Sequence, residues 1–390
     1  MKFLAYVHEH FEDVFVREIL KLADIKDVKV MPNLVEFELT DKIQEKISKI
    51  ILYSRSLRRI MILFDSYEFK DFDDILDYYK KYFQDISITE NINHLLDDMS
   101  AKSELKTFCS RTLKKGSYEF NSQNLDALIG EIILENNKDL KVNLETPDFI
   151  IFNLIINDKI YFGMDLTNLD LGKRDYKVYS VSGSMKSSLI FSLFYHYLDD
   201  EFFKNIKEEL IVNYNVIDGS FLIEFAQYLR NISPLTHNYK DLIINNYFDI
   251  SKYFTKTKEF IFKLFGLDKN FAALNAVKKN MALADIKDDI KLSRLDISWL
   301  DTKYEEHTID LLFTSFVPRA IMSDKDIQKH CEDFVYQLDF VLRHRAIIVT
   351  TKPQAFIQAY EKKKPKLKLY EQLNFNVGTN NYSVIVFDKA

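Results

Sequence analysis

The chain has 390 residues, 47% hydrophobic and 29% charged, with a formal net charge of −6. That balance supplies apolar material for two or three domains and excludes a mainly disordered chain. Two cysteines, Cys109 and Cys331, are too few for a disulfide scaffold or a multi-cysteine zinc site, and eight glycines assemble neither GxGxxG nor GxxxxGK[ST]; a reducing, intracellular setting is expected, without a dinucleotide fingerprint or a P-loop.

The first segment reads strand, helix, two strands, helix, strand. Lys2–Val7 is a short apolar run, and Phe11, Val14, Phe15, Ile19 and Leu22 recur at helical spacing. Val28–Met31 and Leu34–Leu39 flank the Pro32-Asn33 turn signal. Ile43, Ile47, Ile50 and Ile51 mark a second amphipathic helix, and Arg59–Phe64 a last strand. This βαββαβ order is ferredoxin-like. Over residues 69–165, helices precede strands. Asn121 or Ser122 caps a helix carrying Leu125, Leu128, Ile129, Ile132 and Ile133, and strands are expected at Lys141–Leu144, Phe149–Asn157 and Lys159–Met164. Residues 166–186 are polar and basic, a connector.

From about residue 187 strands and helices alternate. Leu210–Ile217 precedes a helix from Phe221 to Leu229, and an Asn- and Tyr-rich insertion follows. Phe260–Leu267 is the next strand, with Phe271, Leu274, Val277, Met281 and Leu283 on the helix after it. Strands recur at Ile290–Leu295, Ile309–Thr314 and Ala346–Thr351, and a terminal hairpin pairs Leu367–Leu373 with Tyr382–Phe387. Alternating β and α gives a doubly wound parallel sheet, and the hairpin suggests the seven-stranded methyltransferase arrangement.

Membrane and export readings fail. His8 and Glu9 interrupt the opening apolar run, and the longest apolar-dominated uncharged stretch, Ser187 to Leu198, is far short of the roughly 20 residues of a spanning helix. A cytoplasmic protein without a membrane partner is expected. Charge is uneven: residues 101–120 and 171–186 each carry +3, and residues 341–368 carry +7. Separated basic windows on an acidic body bind a polyanion when the fold gathers them on one face. For Glu361 to Lys366 a solvated loop is the plainer reading.

In open α/β sheets ligands sit at the carboxyl ends of strands near the switch point. Asp268 ends the second strand, where a carboxylate can accept hydrogen bonds from both ribose hydroxyls of a nucleoside cofactor. Asp296 ends the third, where it can meet an adenine amino group with Ile297 against the ring; Asp310, the third acid considered, opens the fourth strand. Taken singly, each also fits a helix cap or turn. The eight histidines are scattered and form no HExxH, so no metal is expected. Ser182-Gly183-Ser184 lacks the context of a nucleophile elbow.

These residues resemble a known family over almost the whole chain, the THUMP-domain RNA methyltransferases that modify tRNA, particularly the guanine-N2 branch. The opening FLAYVHEHFEDVFVREI is similar to the family's H/N-x-G-x-E-D-x-x-x-E-E start, with Phe11 in place of the usual glycine. Phe108-Cys109-Ser110-Arg111 through Gly116, Ser117, Phe120 and Ser122 resembles the F-x-V-x-x-R…G…H-x-F-x-S stretch. Lys141-Val142-Asn143-Leu144 with Pro147-Asp148 is similar to V-D-L-x-x-P-D. Gly163 to Thr167, followed by Lys173-Arg174-Asp175-Tyr176-Lys177, resembles G-x-D-L-S-G…H-K-R-G-Y-R, and Lys186 falls at the family's P-L-K-E. The implied fold is α/β: a ferredoxin-like domain (1–66), a THUMP domain (67–168), a connector (169–186) and a Rossmann-like seven-stranded methyltransferase domain (187–390).

The resemblance implies that THUMP holds the 3′ end and acceptor region of tRNA, with Arg111, Lys114, Lys115, Lys173 and Arg174 as RNA contacts. It implies S-adenosylmethionine (SAM) as cofactor, held by Gly219, Asp268, Asp296 and Ile297. It also places Ser315, Phe316 and Pro318 at the target amine and base. Two stretches depart from the family pattern. D-P-x-C-G-S-G-T is replaced by Asn215-Val216-Ile217-Asp218-Gly219-Ser220, and T-N-P-P-Y-G by Thr314-Ser315-Phe316-Val317-Pro318-Arg319. Two readings follow. One is an active SAM-dependent tRNA guanine-N2 methyltransferase, favoured by the retained Asp268 and Asp296. The other is a degenerate tRNA-binding protein or non-catalytic partner subunit that has lost its cofactor, favoured by the loss at both loops. DNA adenine methylation leaves the THUMP resemblance idle and ranks last.

Overall fold

The computed structural model describes residues 1–84, 86–101, 105–259, 262–286, 288–318 and 321–390. They cluster into two units: Met1–His8, Phe15–Leu171 and His237–Thr255 in one, and Glu9–Val14, Gly172–Thr236 and Lys256–Ala390 in the other. No helix among the described residues is long and apolar enough to cross a membrane.

The chain opens with β1 (Lys2–Tyr6), α1 (Glu12–Leu22), β2 (Lys26–Met31), β3 (Leu34–Glu38), α2 (Ile43–Tyr53) and β4 (Arg59–Glu68), the anticipated βαββαβ order. Phe15 and Ile19 of α1 and Ile43, Ile47, Ile50 and Ile51 of α2 are buried at the spacing that marked them. Glu18, also buried, accepts from Ser54 Oγ (2.9 Å), Arg55 N (2.7 Å) and Ser56 N (3.0 Å), so its carboxylate ties α1 to the turn before β4.

Next come α3 (Phe72–Gln84), α4 (Ile88–Asp98), β5 (Thr107–Lys115), α5 (Ser122–Asn136), β6 (Lys141–Val142), β7 (Phe149–Ile156) and β8 (Lys159–Asp165). Asn121 caps α5, accepting from Gln123 N at 2.9 Å, and Leu125, Ile129, Ile132 and Ile133 face the core. Strand β5, for which the sequence reading has no strand, runs parallel to β6 and β7. Residues 102–104, part of the first basic window, lie outside the described residues.

One eight-stranded sheet, β2-β3-β1-β4-β8-β7-β5-β6, joins the ferredoxin-like and later segments. The seam is the antiparallel β4–β8 pair, where a Cβ at Gly163 would stand 1.9 Å from the Ile62 carbonyl oxygen; only glycine admits that approach. The Asn- and Tyr-rich insertion belongs to this unit. Asn168 Nδ2 donates to Asp241 O (3.1 Å), and Asn246 Nδ2 to Pro147 O (3.2 Å).

The second unit contains α6 (Ser187–Tyr197), α7 (Asp200–Asn205), β9 (Leu210–Tyr214), α8 (Ser220–Leu229), β10 (Lys263–Asp268), α9 (Phe271–Leu283), β11 (Ile290–Arg294), α10 (Leu300–Lys303) and β12 (Ile309–Phe316). It ends with α11 (Asp324–Val341), β13 (Leu342–Thr350), α12 (Pro353–Lys363), β14 (Leu367–Val377) and β15 (Asn380–Lys389). The order is β11-β10-β9-β12-β13-β15-β14, parallel except for β15, which is antiparallel to both neighbours. This is the seven-stranded methyltransferase arrangement that the terminal hairpin suggested. Residues 260–261, at the start of the anticipated strand, lie outside the described residues. The switch point falls between β9 and β12, which diverge to opposite halves of the sheet.

Candidate active site

At the carboxyl ends of β9, β10 and β12 the second unit holds a cavity of about 820 Å³. Its walls include Val181 and Ser182 of the connector, Asn215 and Ile217 after β9, Asp268 to Asn270 after β10, the first turn of α9, and Ser315 to Pro318 after β12, with His330 of α11 behind. Asp268, Ser315, Phe316 and Pro318 are thus brought together, as expected; Arg319, the last residue of the divergent motif, lies outside the described residues.

Asp268 is buried and accepts from Asn270 N at 2.7 Å. Burial raises its carboxyl above the usual carboxylate value, against the backbone amides of Asn270, Val216 and Ile217. The same carboxylate therefore anchors the β9 loop and forms a wall of the cavity. That loop is unusual. Asn215 and Ile217 both sit at φ 54°, a left-handed conformation that Asn tolerates and a β-branched residue does not adopt without strain. Gly219, at φ 82°, starts α8, and a Cβ there would lie 2.8 Å from Val277 Cγ1. Its lack of a side chain lets the helix seat against α9; it does not line the cavity.

The loop is held from behind by the connector, a role the sequence reading did not assign. Lys177 Nζ lies 2.9 Å from Asp218 Oδ2. Buried Asn280 of α9 donates to the carbonyls of Asp218 and Tyr179, both at 2.9 Å, and accepts from Tyr179 N at 3.0 Å. Arg174 and Glu224 pair at 2.9 Å with both side chains at 0% exposure, and the Tyr176 hydroxyl donates to Glu224 at 2.9 Å. Arg174 is therefore corrected from an RNA contact to an internal support, because its guanidinium is shielded from solvent and paired with Glu224. Lys173 beside it is exposed.

Two further expectations change, and Asp310 stands away from the cavity. Ile297 is buried among Val212, Tyr214 and Leu267, so its side chain offers no face to an adenine ring. Phe316 is 6% exposed, and the His330 ring covers one of its faces at 4.4 Å and 14°. It supports the cavity wall and does not present an open platform. Burial, reinforced by Lys269, lowers the His330 pKa to about 4, which keeps the imidazole neutral. Asp310 sits at the amino end of β12, accepting from Leu210 N (2.7 Å) and pairing with Arg343, on the edge opposite the cavity.

Asp296 caps the turn at Ile297–Trp299, the structural role weighed for it, accepting from Ser298 N at 3.2 Å. Burial opposes its ionisation, but the Ser298 amide and hydroxyl and Lys269 outweigh it and hold its pKa low. In the first unit Arg111 is exposed on β5, with a terminal nitrogen on Leu144 O at 2.6 Å. The amines of Lys114 and Lys115 are half-buried and bonded to Phe120 O and Asn33 Oδ1, which leaves them less available to a polyanion. Of the third basic window, Arg343, Arg345 and Lys362 pair with Asp310, Asp388 and Glu332.

Comparison with known proteins matches residues 69–165 to the THUMP domain and residues 218–382 to the RMKL-like methyltransferase domain. The chain joins a THUMP domain to an RMKL-like methyltransferase domain. It is 28% identical over 350 residues to the tRNA (guanine(6)-N2)-methyltransferase of Methanocaldococcus jannaschii, covering 85% of this chain and 86% of that one. The protein of the same name from Archaeoglobus fulgidus is 24% identical over 65% of this chain and 59% of its own. Among solved structures, SMU.472 in complex with SAH aligns with TM-score 0.73 at 15% identity, over 99% of this chain and 97% of that one. TrmN from Thermus thermophilus aligns with TM-score 0.69 at 15% identity, over 100% and 99%. The structural likeness is one of fold. A THUMP domain implies RNA binding, and the methyltransferase domain implies a methyl donor of the SAM type.

The residues present fit such a donor. The space beside Asp268 is open, its carboxylate forms one wall, and the buried Ser315 Oγ has no hydrogen-bond partner among the described residues. A carboxylate at this strand end can accept from both hydroxyls of a ribose, and an unpartnered buried oxygen is costly unless a ligand satisfies it.

Proposed function

We propose that this protein is a SAM-dependent tRNA guanine-N2 methyltransferase acting through the cavity at the β9–β12 switch point. The observation that carries the reading is the juxtaposition, in one cavity, of the Asp268 carboxylate and the unpartnered Ser315 Oγ. When bound, SAM supplies an electrophilic methyl group. The chain's own contribution is placement. Asp268 holds the ribose, and ionised Asp296 accepts from the adenine amine. Ser315 Oγ accepts a hydrogen bond from the guanine N2 amine and turns its lone pair toward the methyl group. Pro318 and the stacked Phe316–His330 pair shape the wall where the base enters, and Val181 and Ser182 close the opposite side against water. Arg111 on the THUMP sheet and Lys173 on the connector carry phosphate contacts with the tRNA acceptor region. The relatives named for this activity support the substrate assignment.

The test is binding followed by turnover. SAH at a hundred times its dissociation constant should stabilise the protein by about 2.7 kcal/mol. Methyl transfer from labelled SAM to unmodified tRNA should then appear in N2-methylguanosine after digestion. Absence of any thermal shift at millimolar SAH, or label in another nucleoside, overturns the proposal.

A further inference from the structure

Between its braces the connector exposes three consecutive residues: Val178 is 63% exposed, Tyr179 40%, and Ser180 follows them into solvent. The backbone beneath is fixed, because Asn280 holds both N and O of Tyr179 and Lys177 pairs with Asp218. A surface held rigid in advance spends little ordering entropy when a ligand arrives. Lys279 of α9 reaches over the Tyr179 ring, its Nζ 4.5 Å from the centroid, and Lys278 is exposed beside it. The ordinary reasons for lysines on a helix are absent here. No acid occurs in Phe271–Leu283, so no residue three or four positions away pairs with either one. Neither lies in the last turn, where a cation complements the helix dipole. Neither has an ion pair among the described residues. The second basic window is thus displaced: Arg174 and Lys177 pair inward, and the cations of this face come from α9.

We infer that Tyr179, Lys278 and Lys279 form a docking site for the RNA strand flanking the target nucleotide, with a base packed against the Tyr179 ring and phosphates paired with the two lysines. The inference deepens the proposed function and rests on it. The site stands apart from the cofactor's: none of the three residues lines the cavity beside Asp268 or the hollow beside Asp296. It is nevertheless continuous with the cavity along the chain. Val181 and Ser182, which wall the cavity, follow Tyr179 by two and three residues, a span of at most about 7–11 Å. A strand that delivers a base past Val181 therefore continues across Tyr179. A protein surface docking here would have to desolvate two uncompensated cations, whereas a polyanion brings the counter-charge with it. An exposed aromatic beside cations is the physical pattern of single-strand recognition, in which stacking is indifferent to base identity and the cations track the backbone.

The test uses the full chain and unmodified tRNA. By mobility shift, Tyr179→Ala should weaken binding roughly tenfold, within the range for losing one base–aromatic stack, and Tyr179→Phe should bind as wild type does. Lys278→Ala combined with Lys279→Ala should lower the salt slope of tRNA binding by about 1.4, the share of two single-strand phosphate contacts. SAH affinity in calorimetry should stay at the wild-type value in every variant. Ultraviolet irradiation of the wild-type complex should cross-link Tyr179 to a nucleotide next to the guanosine that is methylated. Wild-type tRNA affinity and salt slope in the variants would overturn the inference. So would a parallel loss of SAH affinity, which would make the Lys279–Tyr179 contact a prop for the connector wall, or a cross-link to a nucleotide remote from the methylated one. Failure of the wild-type chain to bind tRNA at all would remove the proposed function together with this inference.

Discussion

Arg174→Ala tests whether the second basic window is a ligand surface or an internal support. In the structure the guanidinium meets Glu224 through Nε at 2.9 Å and a terminal nitrogen at 3.4 Å, and both side chains are wholly shielded. Truncating the arginine leaves a buried carboxylate supported by the Tyr176 hydroxyl, and breaking a buried pair from one side costs about 3–5 kcal/mol. Replacing both partners by leucine removes the orphaned charge as well, so Arg174→Leu with Glu224→Leu should cost far less than the two single changes added together. Urea denaturation followed by Trp299 emission suits the measurement, because the chain's one tryptophan belongs to the unit that holds the pair and reads that unit's transition. With a urea slope of about 2–3 kcal/mol per molar, the single variant should lower the midpoint by roughly 1–2 M. The affinity of the folded variant for tRNA should not change. A midpoint shift below about 0.3 M, together with a marked fall in tRNA affinity, would show that Arg174 reaches RNA and that the burial argument is wrong.

Asp268→Asn should weaken SAH binding by roughly 10- to 150-fold in calorimetry, the range for losing a charge-assisted hydrogen bond. Because burial raises the folded carboxyl above its unfolded value of 3.8, the native state binds the proton more tightly, and the ligand-free protein loses stability as pH rises across that interval. The asparagine variant should therefore be no less stable than wild type at neutral pH; a large destabilisation there would refute the sign. Glu209, raised to about 7 by burial and by the Asp310 carboxylate beside it against Arg343, works in the same sense. Its contribution to stability falls as pH climbs from 4.5 to about 7, and Glu209→Gln should flatten the midpoint-versus-pH curve in that window; an unchanged slope would exclude it. Gly219→Ala should lower stability by about 1–3 kcal/mol through its positive φ and the contact with Val277. Val277→Ala in that background should return part of the loss, and simple additivity of the two would count against the contact.

Periodicity and turn signals reached the elements that local sequence can mark. The buried faces of α1, α2 and α5 follow from helical spacing, and the terminal hairpin from two apolar runs separated by a turn signal. Strand β5 escaped for a physical reason. It is penultimate in its sheet, bordered by the two-residue β6, with Phe108, Cys109 and Ser110 consecutively buried and Lys114 and Lys115 half-buried, so neither alternation nor an unbroken apolar run marks it. What made it recognisable was family resemblance, which carries no secondary structure by itself. The partition of the chain was hidden likewise. One sheet runs through two anticipated domains because its seam depends on hydrogen-bond register and a single glycine, neither of which composition registers.

The candidate site shows where local reading stops. Strand-end acids are legible because topology alone puts them at the sheet's carboxyl edge, which placed Asp268 correctly. Charge does not say what it faces. Lys173 and Arg174 are adjacent, equally basic and in the same polar stretch, yet one is exposed and the other is sealed against a glutamate fifty residues later. The loop after β9 carries the same lesson in reverse. Read by motif, the absence of the family's leading acid, proline and second glycine looks like decay. Read by contacts, the loop is fixed by Asp268 in front and by Lys177 and Asn280 behind, with a left-handed Ile217 that persists because those bonds over-determine it. Glycine is one way to let a backbone pass close to a ligand. A strained loop clamped from both sides is another, and it leaves the space beside Asp268 open while abandoning the motif that usually announces it.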